Sequence, residues 1–122
     1  MKDLNKLSFE QLKNEIETLA KKQDKVKKQT LKDSPLIIGE NYLIRTVTMI
    51  YTGKLTKVYA KELVVVDCAW IPETARWQEA VKSGEFNEVE PYPDGEVILN
   101  KEAVLYMTTV EWQLPRTQKW TP

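Results

Sequence analysis

The sequence contains no histidine and only one cysteine, Cys68. Histidine is the commonest general base and the commonest protein ligand of transition metals, so its absence removes the usual catalytic triads and most zinc chemistry. A single cysteine can form neither an intrachain disulfide nor a cysteine-based zinc site. We therefore expect no catalytic residues, no metal site and no cofactor, and we predict a binding function instead.

Cys68 lies within the apolar run Val64–Trp70, where a small buried hydrophobic residue is the plainer interpretation. The alternative, a reactive thiol, would need a histidine partner. A free thiol without a disulfide framework suits a reducing cytoplasm. The charged N-terminal residues and the lack of any apolar stretch of membrane length predict neither a signal peptide nor a membrane partner.

Glycine and arginine are also scarce. The four glycines are widely separated, which excludes a glycine-rich phosphate loop. The formal net charge is zero, with an excess of three positive charges in residues 1–33 balanced by three negative charges in the rest. Bulk charge therefore does not predict DNA binding, and any anion site must be local. Arginine binds phosphate through a planar fork, which draws attention to Arg45, Arg76 and Arg116.

The length of 122 residues fits a single domain, and its first part, residues 1–33, is predicted to contain an N-terminal helix. Ser8 and Gln11 have the spacing of a capping box. An apolar stripe then continues to a helix end near Lys28, through Phe9, Leu12, Ile16, Leu19 and Val26. The lysine-rich end is either a solvated terminus or a contact for a partner or an anion.

Residues 42–112 are predicted to form a β-rich core, preceded by a connector over residues 33–41 that contains Pro35 and Gly39. Tyr42–Tyr51 is predicted as one strand that Gly53 ends, with one face carrying Leu43, Arg45, Val47, Met49 and Tyr51. Leu55–Tyr59 and Glu62–Ala69 are expected to pair antiparallel around Ala60 and Lys61. The short connections favour a meander.

A short helix is predicted over Pro72–Val81, with Gly84 as its C-terminal cap. Further strands are expected at Glu88–Glu90, Val97–Leu99 and Ala103–Trp112. The predicted fold class is thus α+β: an N-terminal helix, then a mainly antiparallel β-sheet meander with one short helix. The tail, residues 113–122, has no periodicity, and Trp120 within it suggests either a subunit interface or packing on the same domain.

Arginines and tryptophans supply the candidate ligand-binding residues. Arg45 stands in an apolar strand, so an inward-facing side chain would need an anion, either a ligand or an acidic residue such as Glu62, Asp67 or Glu90. Trp70 and Trp77 flank the predicted helix with Arg76 between them. Such a cluster can stack a nucleobase, although packing is the alternative.

Carboxylates leave one enzymatic alternative. Glu88 and Glu90 alternate along a predicted strand, and together with Asp67 they could hold magnesium in a phosphodiesterase. Exposed glutamates that pair with lysines explain the same pattern. A phage structural or adaptor oligomer without a small ligand is the other alternative.

Several blocks between residues 42 and 119 resemble a phage-encoded family, the first-described type of Thoeris anti-defence protein. In chain order the blocks are Arg45–Gly53, Glu62–Ile71, Thr74–Trp77, Asn87–Pro91 and Leu114–Arg116. The resemblance implies a β-rich α+β subunit in the host bacterial cytoplasm. It also implies a homo-oligomer, either a dimer or a hexamer assembled from dimers. Such proteins bind glycocyclic ADP-ribose, an immune signal, without cleaving it, and some members hold cyclic oligonucleotides at separate sites.

The resemblance also implies roles for individual residues. Trp77 matches an aromatic position that stacks on adenine, and Asn87 matches an asparagine that hydrogen-bonds the ligand. Arg45 and Arg116 match basic positions suited to the diphosphate, with Arg116 reaching across from the partner subunit. Cys68 stands where alanine is typical.

Overall fold

The computed structural model describes residues 27–120, so the predicted N-terminal helix lies outside the described residues, except for its expected end. Lys27 and Lys28 at that end are not helical. The first strand begins at Gln29, inside the segment 1–33 that was assigned to the N-terminal helix. The strands are β1 (Gln29–Leu31), β2 (Ser34–Ile38), β3 (Asn41–Thr46), β4 (Ile50–Val58), β5 (Glu62–Glu73), β6 (Glu88–Pro91), β7 (Val97–Asn100) and β8 (Val104–Thr109). One α-helix, α1 (Trp77–Ser83), and a short 3-10 turn (Lys101–Ala103) complete the described part.

The prediction of a connector over residues 33–41 is wrong, because most of it is strand. β1 and β2 form an antiparallel hairpin with its turn at Lys32 and Asp33. The run Leu36, Ile37 and Ile38 supplies the apolar and β-branched residues that favour a strand. Pro35 is tolerated because a two-stranded hairpin leaves an open edge where a missing N–H costs little.

A tight turn divides the single strand predicted for Tyr42–Tyr51 into β3 and β4, which pair antiparallel. The turn is closed by Thr46, whose N–H and hydroxyl both donate to the carbonyl of Met49 at 2.8 Å. The N–H of Met49 donates back to the Thr46 hydroxyl at 3.0 Å. The chain reverses there, so the predicted shared face is wrong: Leu43 and Tyr51 belong to opposite faces of the sheet.

Gly53 lies inside β4 and does not end a strand. A Cβ at this position would lie 3.0 Å from the Cβ of Val65 on β5. Glycine is therefore used here for the close approach of two strands.

β5 is the central strand of the main sheet. The predicted antiparallel pair around Ala60 and Lys61 is confirmed, with Val58 opposite Leu63, and both strands extend beyond their predicted limits. The sheet order is β6-β5-β4-β3-β8, and β7 also pairs with β5. Strands β3 to β6 form a meander, whereas β8 returns to pair with β3. The described part is thus mainly antiparallel β-sheet with one helix.

Each face of the sheet carries its own apolar cluster. One face, here called the hairpin face, has Leu36 of β2 against Tyr42, Ile44, Leu55, Leu63, Val65, Cys68 and Leu99. The other, the helix face, contains Leu43, Ala69, Ile71, Ala80, Phe86, Val89 and Val110. Strand alternation produces this division, since successive residues of β3 point to opposite faces.

Among residues 27–120, none of the helices is long and apolar enough to cross a membrane.

Helix α1 begins five residues later than predicted, because Pro72 lies in the last part of β5. The predicted C-terminal cap is confirmed: Gly84 has φ of 73°, and its N–H donates to the carbonyl of Ala80 at 2.9 Å. Trp112 packs beside this cap and donates its indole N–H to the carbonyl of Val81 at 2.9 Å. The helix is therefore held against the sheet by the chain that follows β8.

Part of the C-terminal tail packs on its own domain. Leu114 is buried, and Lys119 forms a backbone bridge to Val89 of β6 through two hydrogen bonds of 2.7 and 2.9 Å. Trp120 remains 62% exposed. The tail thus adds a short strand-like contact that its lack of periodicity does not reveal.

The cap of α1 predicts the effect of one substitution. Gly84→Ala should lower the free energy of unfolding by about 2–4 kcal/mol, because it combines a left-handed backbone with overlap against the Trp112 ring. The neighbouring exposed substitution Ser83→Ala should cost about 1 kcal/mol or less, for its hydrogen bond to the carbonyl of Glu79. Urea denaturation measures both, and equal losses would contradict this view of the cap.

Candidate functional site

Arg45 and Trp77 come together on the helix face through Tyr106. Arg45 follows the same strand parity as buried Leu43, which places it on this face. Tyr106 of β8 lies directly opposite Arg45. The Tyr106 ring meets Trp77 edge to face, with centroids 6.1 Å apart and planes at 84°. These three residues are called the Arg45–Trp77–Tyr106 cluster below.

The guanidinium groups of Arg45 and Arg76 have no partner among residues 27–120. Within residues 27–120 Arg45 makes neither a hydrogen bond nor an ion pair through its side chain, so the alternative of pairing with Glu62, Asp67 or Glu90 is wrong. Arg76, the exposed residue immediately before Trp77, is likewise unpaired through its side chain. The helix face therefore offers positive charge that no described carboxylate neutralises.

The aromatic pair has a packed part and an open part. Trp77 is half-buried against the helix-face cluster, whereas Tyr106 is 46% exposed. A ring fixed on one side and open on the other can accept a planar group by stacking. A neighbouring arginine can bind a phosphate oxygen at the same time. The cluster has the chemistry to bind an anion that carries a flat ring.

Asn87 lies in the loop between α1 and β6, where its side chain is exposed. Its backbone N–H donates to the carbonyl of Glu73 at 3.0 Å, which ties the loop to the end of β5. Asn87 thus lies directly before β6, in the short loop that joins this strand to the helix that carries Trp77.

Trp70 lies on the opposite face from Trp77. It pairs across strands with Tyr51, which packs against the hairpin-face cluster, and with Glu90 on β6. The rings of Tyr51 and Tyr92 lie 6.3 Å apart. The two tryptophans that flank the helix in sequence therefore do not form one platform, and Trp70 belongs to a separate aromatic group with Tyr51 and Tyr92.

Arg116 is engaged with the backbone of its own subunit. Its Nη1 donates to the carbonyl of Cys68 at 2.7 Å, and its Nη2 donates to the carbonyl of Tyr92 at 2.9 Å. Asp94 lies 3.6 Å from Nη2. The Cys68 carbonyl also accepts from the N–H of Tyr92. Arg116 therefore fixes an irregular point of β5, next to Asp67 with its φ of 51°.

Cys68 is buried at this point, and burial raises the pKa of its thiol to about 12, although nearby Arg116 acts in the opposite direction. The thiol therefore stays protonated near neutral pH. A protonated thiol is a poor nucleophile, in agreement with the interpretation of Cys68 as a small hydrophobic residue.

The carboxylates considered for magnesium do not converge. Among the described residues there is no group of three or more acidic, cysteine or histidine residues that could hold a metal ion. Glu90 instead accepts hydrogen bonds from Nε2 of Gln118 at 3.1 and 3.2 Å.

No protein family, curated protein or solved structure matches the chain.

Tyr106 is the residue of the cluster that the sequence alone does not identify. Its neighbour Arg45 lies 61 residues earlier in the chain, and only the pairing of β8 with β3 brings them together. The only signal in the sequence was an aromatic residue within the predicted strand Ala103–Trp112.

The two hydrogen bonds from Arg116 to the carbonyls of Cys68 and Tyr92 are called the Arg116 clamp below. The clamp predicts that substitutions of two arginines differ in their effect on stability. Arg116→Met should lower the free energy of unfolding by about 1.5–3 kcal/mol, because the carbonyls of Cys68 and Tyr92 lose charge-assisted hydrogen bonds. Arg76→Met removes a guanidinium without a described partner and should change it by at most about 0.5 kcal/mol. Thermal and urea denaturation of both variants would contradict the clamp if the two losses were equal.

Proposed function

We propose that this chain binds cyclic ADP-ribose-type signalling nucleotides and sequesters them without cleavage, as a phage anti-defence protein in the host bacterial cytoplasm. The ligand we propose is glycocyclic ADP-ribose, with cyclic oligonucleotides as further ligands. The observation that carries the proposal is the Arg45–Trp77–Tyr106 cluster, in which an unpaired arginine stands beside a half-open aromatic pair. The resemblance to Thoeris anti-defence proteins supplies the identity of the ligand.

In this proposal the adenine stacks on Trp77 and contacts Tyr106, and the diphosphate pairs with Arg45. Stacking of a base on an aromatic side chain contributes about 1–3 kcal/mol. A charge-assisted hydrogen bond to phosphate contributes about as much. Asn87, exposed beside the helix, is proposed to hydrogen-bond the ligand.

Arg116 needs a more specific role. Two of its terminal nitrogens already bond to carbonyls of the same subunit, yet a guanidinium has five N–H donors. We propose that its remaining donors contact the diphosphate bound by a second subunit. The same side chain then stabilises β5 and completes a site between two chains.

The edge of the sheet at β8 supports a homo-oligomer. β8 pairs with β3 along one edge, and no other strand among residues 27–120 pairs with it. The strand Val104–Thr109 carries no charge, and its Leu105 is 58% exposed. Proteins normally protect an exposed apolar edge, often by pairing it. A dimer, or a hexamer assembled from dimers, would cover it.

The proposal predicts a pattern of affinities in calorimetry with glycocyclic ADP-ribose. A protein that sequesters this signal should bind it at roughly nanomolar strength, equivalent to a binding free energy of about −12 kcal/mol. Trp77→Ala and Arg45→Gln should each weaken binding by about tenfold to a hundredfold, because each removes one ligand contact.

Lys57→Gln is the matched control for the loss of a cation, because Lys57 is exposed and its partner is Glu96. This variant should bind like the unmodified protein. Absence of binding heat with the unmodified protein would refute the proposed ligand. Unchanged affinity in both Trp77→Ala and Arg45→Gln would show that the ligand lies elsewhere.

A further inference from the structure

A cavity of about 510 Å³ lies at the opposite end of β3 from Arg45. Its wall includes Lys28, Glu40, Asn41, Lys54, Thr109 and Glu111. A smaller cavity of about 180 Å³ shares Asn41 and Lys54, and its wall also includes Asp67, Gln113, Leu114 and Arg116. Asn41 is four residues from Arg45, or about 13 Å along the strand, so the larger cavity is separate from the Arg45–Trp77–Tyr106 cluster.

Two polar side chains at the junction of these cavities have no partner among residues 27–120. Asn41 and Lys54 are directly opposite each other on β3 and β4. The Oδ1 atom of Asn41 is buried and accepts no hydrogen bond from these residues. Within the described part of the chain, the Lys54 ammonium, which is half-buried, makes no hydrogen bond or ion pair.

An unpaired buried oxygen is costly, since leaving a buried acceptor unsatisfied destabilises the folded protein. The backbone carbonyl of Asn41 is satisfied, because it accepts from the N–H of Val110 at 2.9 Å. The unsatisfied atom therefore belongs to the side chain, which points to a donor supplied from outside the described residues.

The charges of the larger cavity select among ligands. Lys28 and Glu40 neutralise each other through an ion pair of 2.7 Å, and this hydrogen bond raises the pKa of Lys28. Lys54 and Glu111 form no ion pair with each other, although the charge of Glu111 also helps to raise the pKa of Lys28. A simple anion would meet the carboxylate of Glu111, and a simple cation would meet Lys54. A ligand that carries both charges satisfies both walls.

We propose that this cavity binds a small zwitterion of the amino-acid class, with its carboxylate on Lys54 and its ammonium donating to Oδ1 of Asn41 while facing Glu111. The ammonium supplies the missing donor, and the carboxylate supplies the missing partner of Lys54. The volume is within the range of small-molecule sites and leaves room for a side chain. This site is independent of the proposed nucleotide function.

The test starts from the twenty standard L-amino acids, screened by thermal shift and then by calorimetry, since a ligand that binds the folded state raises Tm. At least one amino acid should bind. Its two matched analogues, one without the amino group and one without the carboxylate, should bind at least about tenfold more weakly, because each leaves one wall unpaired. Inorganic phosphate is a further probe. No binding by any amino acid would overturn the proposal, as would equal binding by phosphate or by the carboxylate-only analogue.

Variants then locate the site. Lys54→Met and Asn41→Leu should each weaken amino-acid binding by at least about tenfold. Lys57→Met, on the same strand but outside the cavity, should leave binding unchanged. Asn41→Leu also removes the unsatisfied oxygen, so this variant should fold at least as stably as the unmodified protein. Undiminished binding in either cavity variant would overturn the site, whereas nucleotide affinity should be unaffected in both.

Discussion

The architecture depends on the pairing of β5, whose two edges are both occupied. β4 covers one edge, while β7 pairs with residues 62–65 and β6 with residues 69–73 of the other. Between these two segments the register of β5 against β4 shifts, at Asp67 and Cys68, where Asp67 has a φ of 51°. Arg116 and the N–H of Tyr92 both donate to the Cys68 carbonyl there. The position of β6, and of the tail bridged to it, follows from this clamp.

Because the sheet is covered on both faces, neighbouring residues in the sequence can serve different surfaces. Trp70 contributes to the hairpin face, whereas Trp77 contributes to the helix face and meets Tyr106. Arg45 sits at the open margin of the helix face, so its charge stays in contact with solvent and needs no buried acid. An unpaired charge beside open aromatic rings is available to a ligand, which is the physical basis of the proposed nucleotide site.

Local signals predicted much of this fold. The turn at Ala60 and Lys61 and the cap at Gly84 follow from short-range chemistry, and both are confirmed. The turn at Thr46–Met49 contains neither glycine nor proline, so the hydroxyl of Thr46 that closes it left no ordinary signal. Pro72 suggested a helix start but lies in β5, and the pairing of β8 with β3 is too distant in sequence for any local pattern to indicate. Arg45 and Trp77 were predicted as site residues from the sequence. Tyr106 was not, because it joins them only through the pairing of β8 with β3.

The sequence has no histidine, and the thiol of Cys68 stays protonated near neutral pH. Both features agree with the proposed function, because a protein that sequesters a ligand must hold it without reacting with it. The most direct test is to incubate the protein with glycocyclic ADP-ribose, with and without magnesium, remove unbound ligand, heat-denature the complex and analyse the released nucleotide by mass spectrometry. Sequestration predicts release of the intact nucleotide in an amount equal to that bound, whether or not magnesium is present. Recovery of a cleaved product, or of no nucleotide at all, would contradict it.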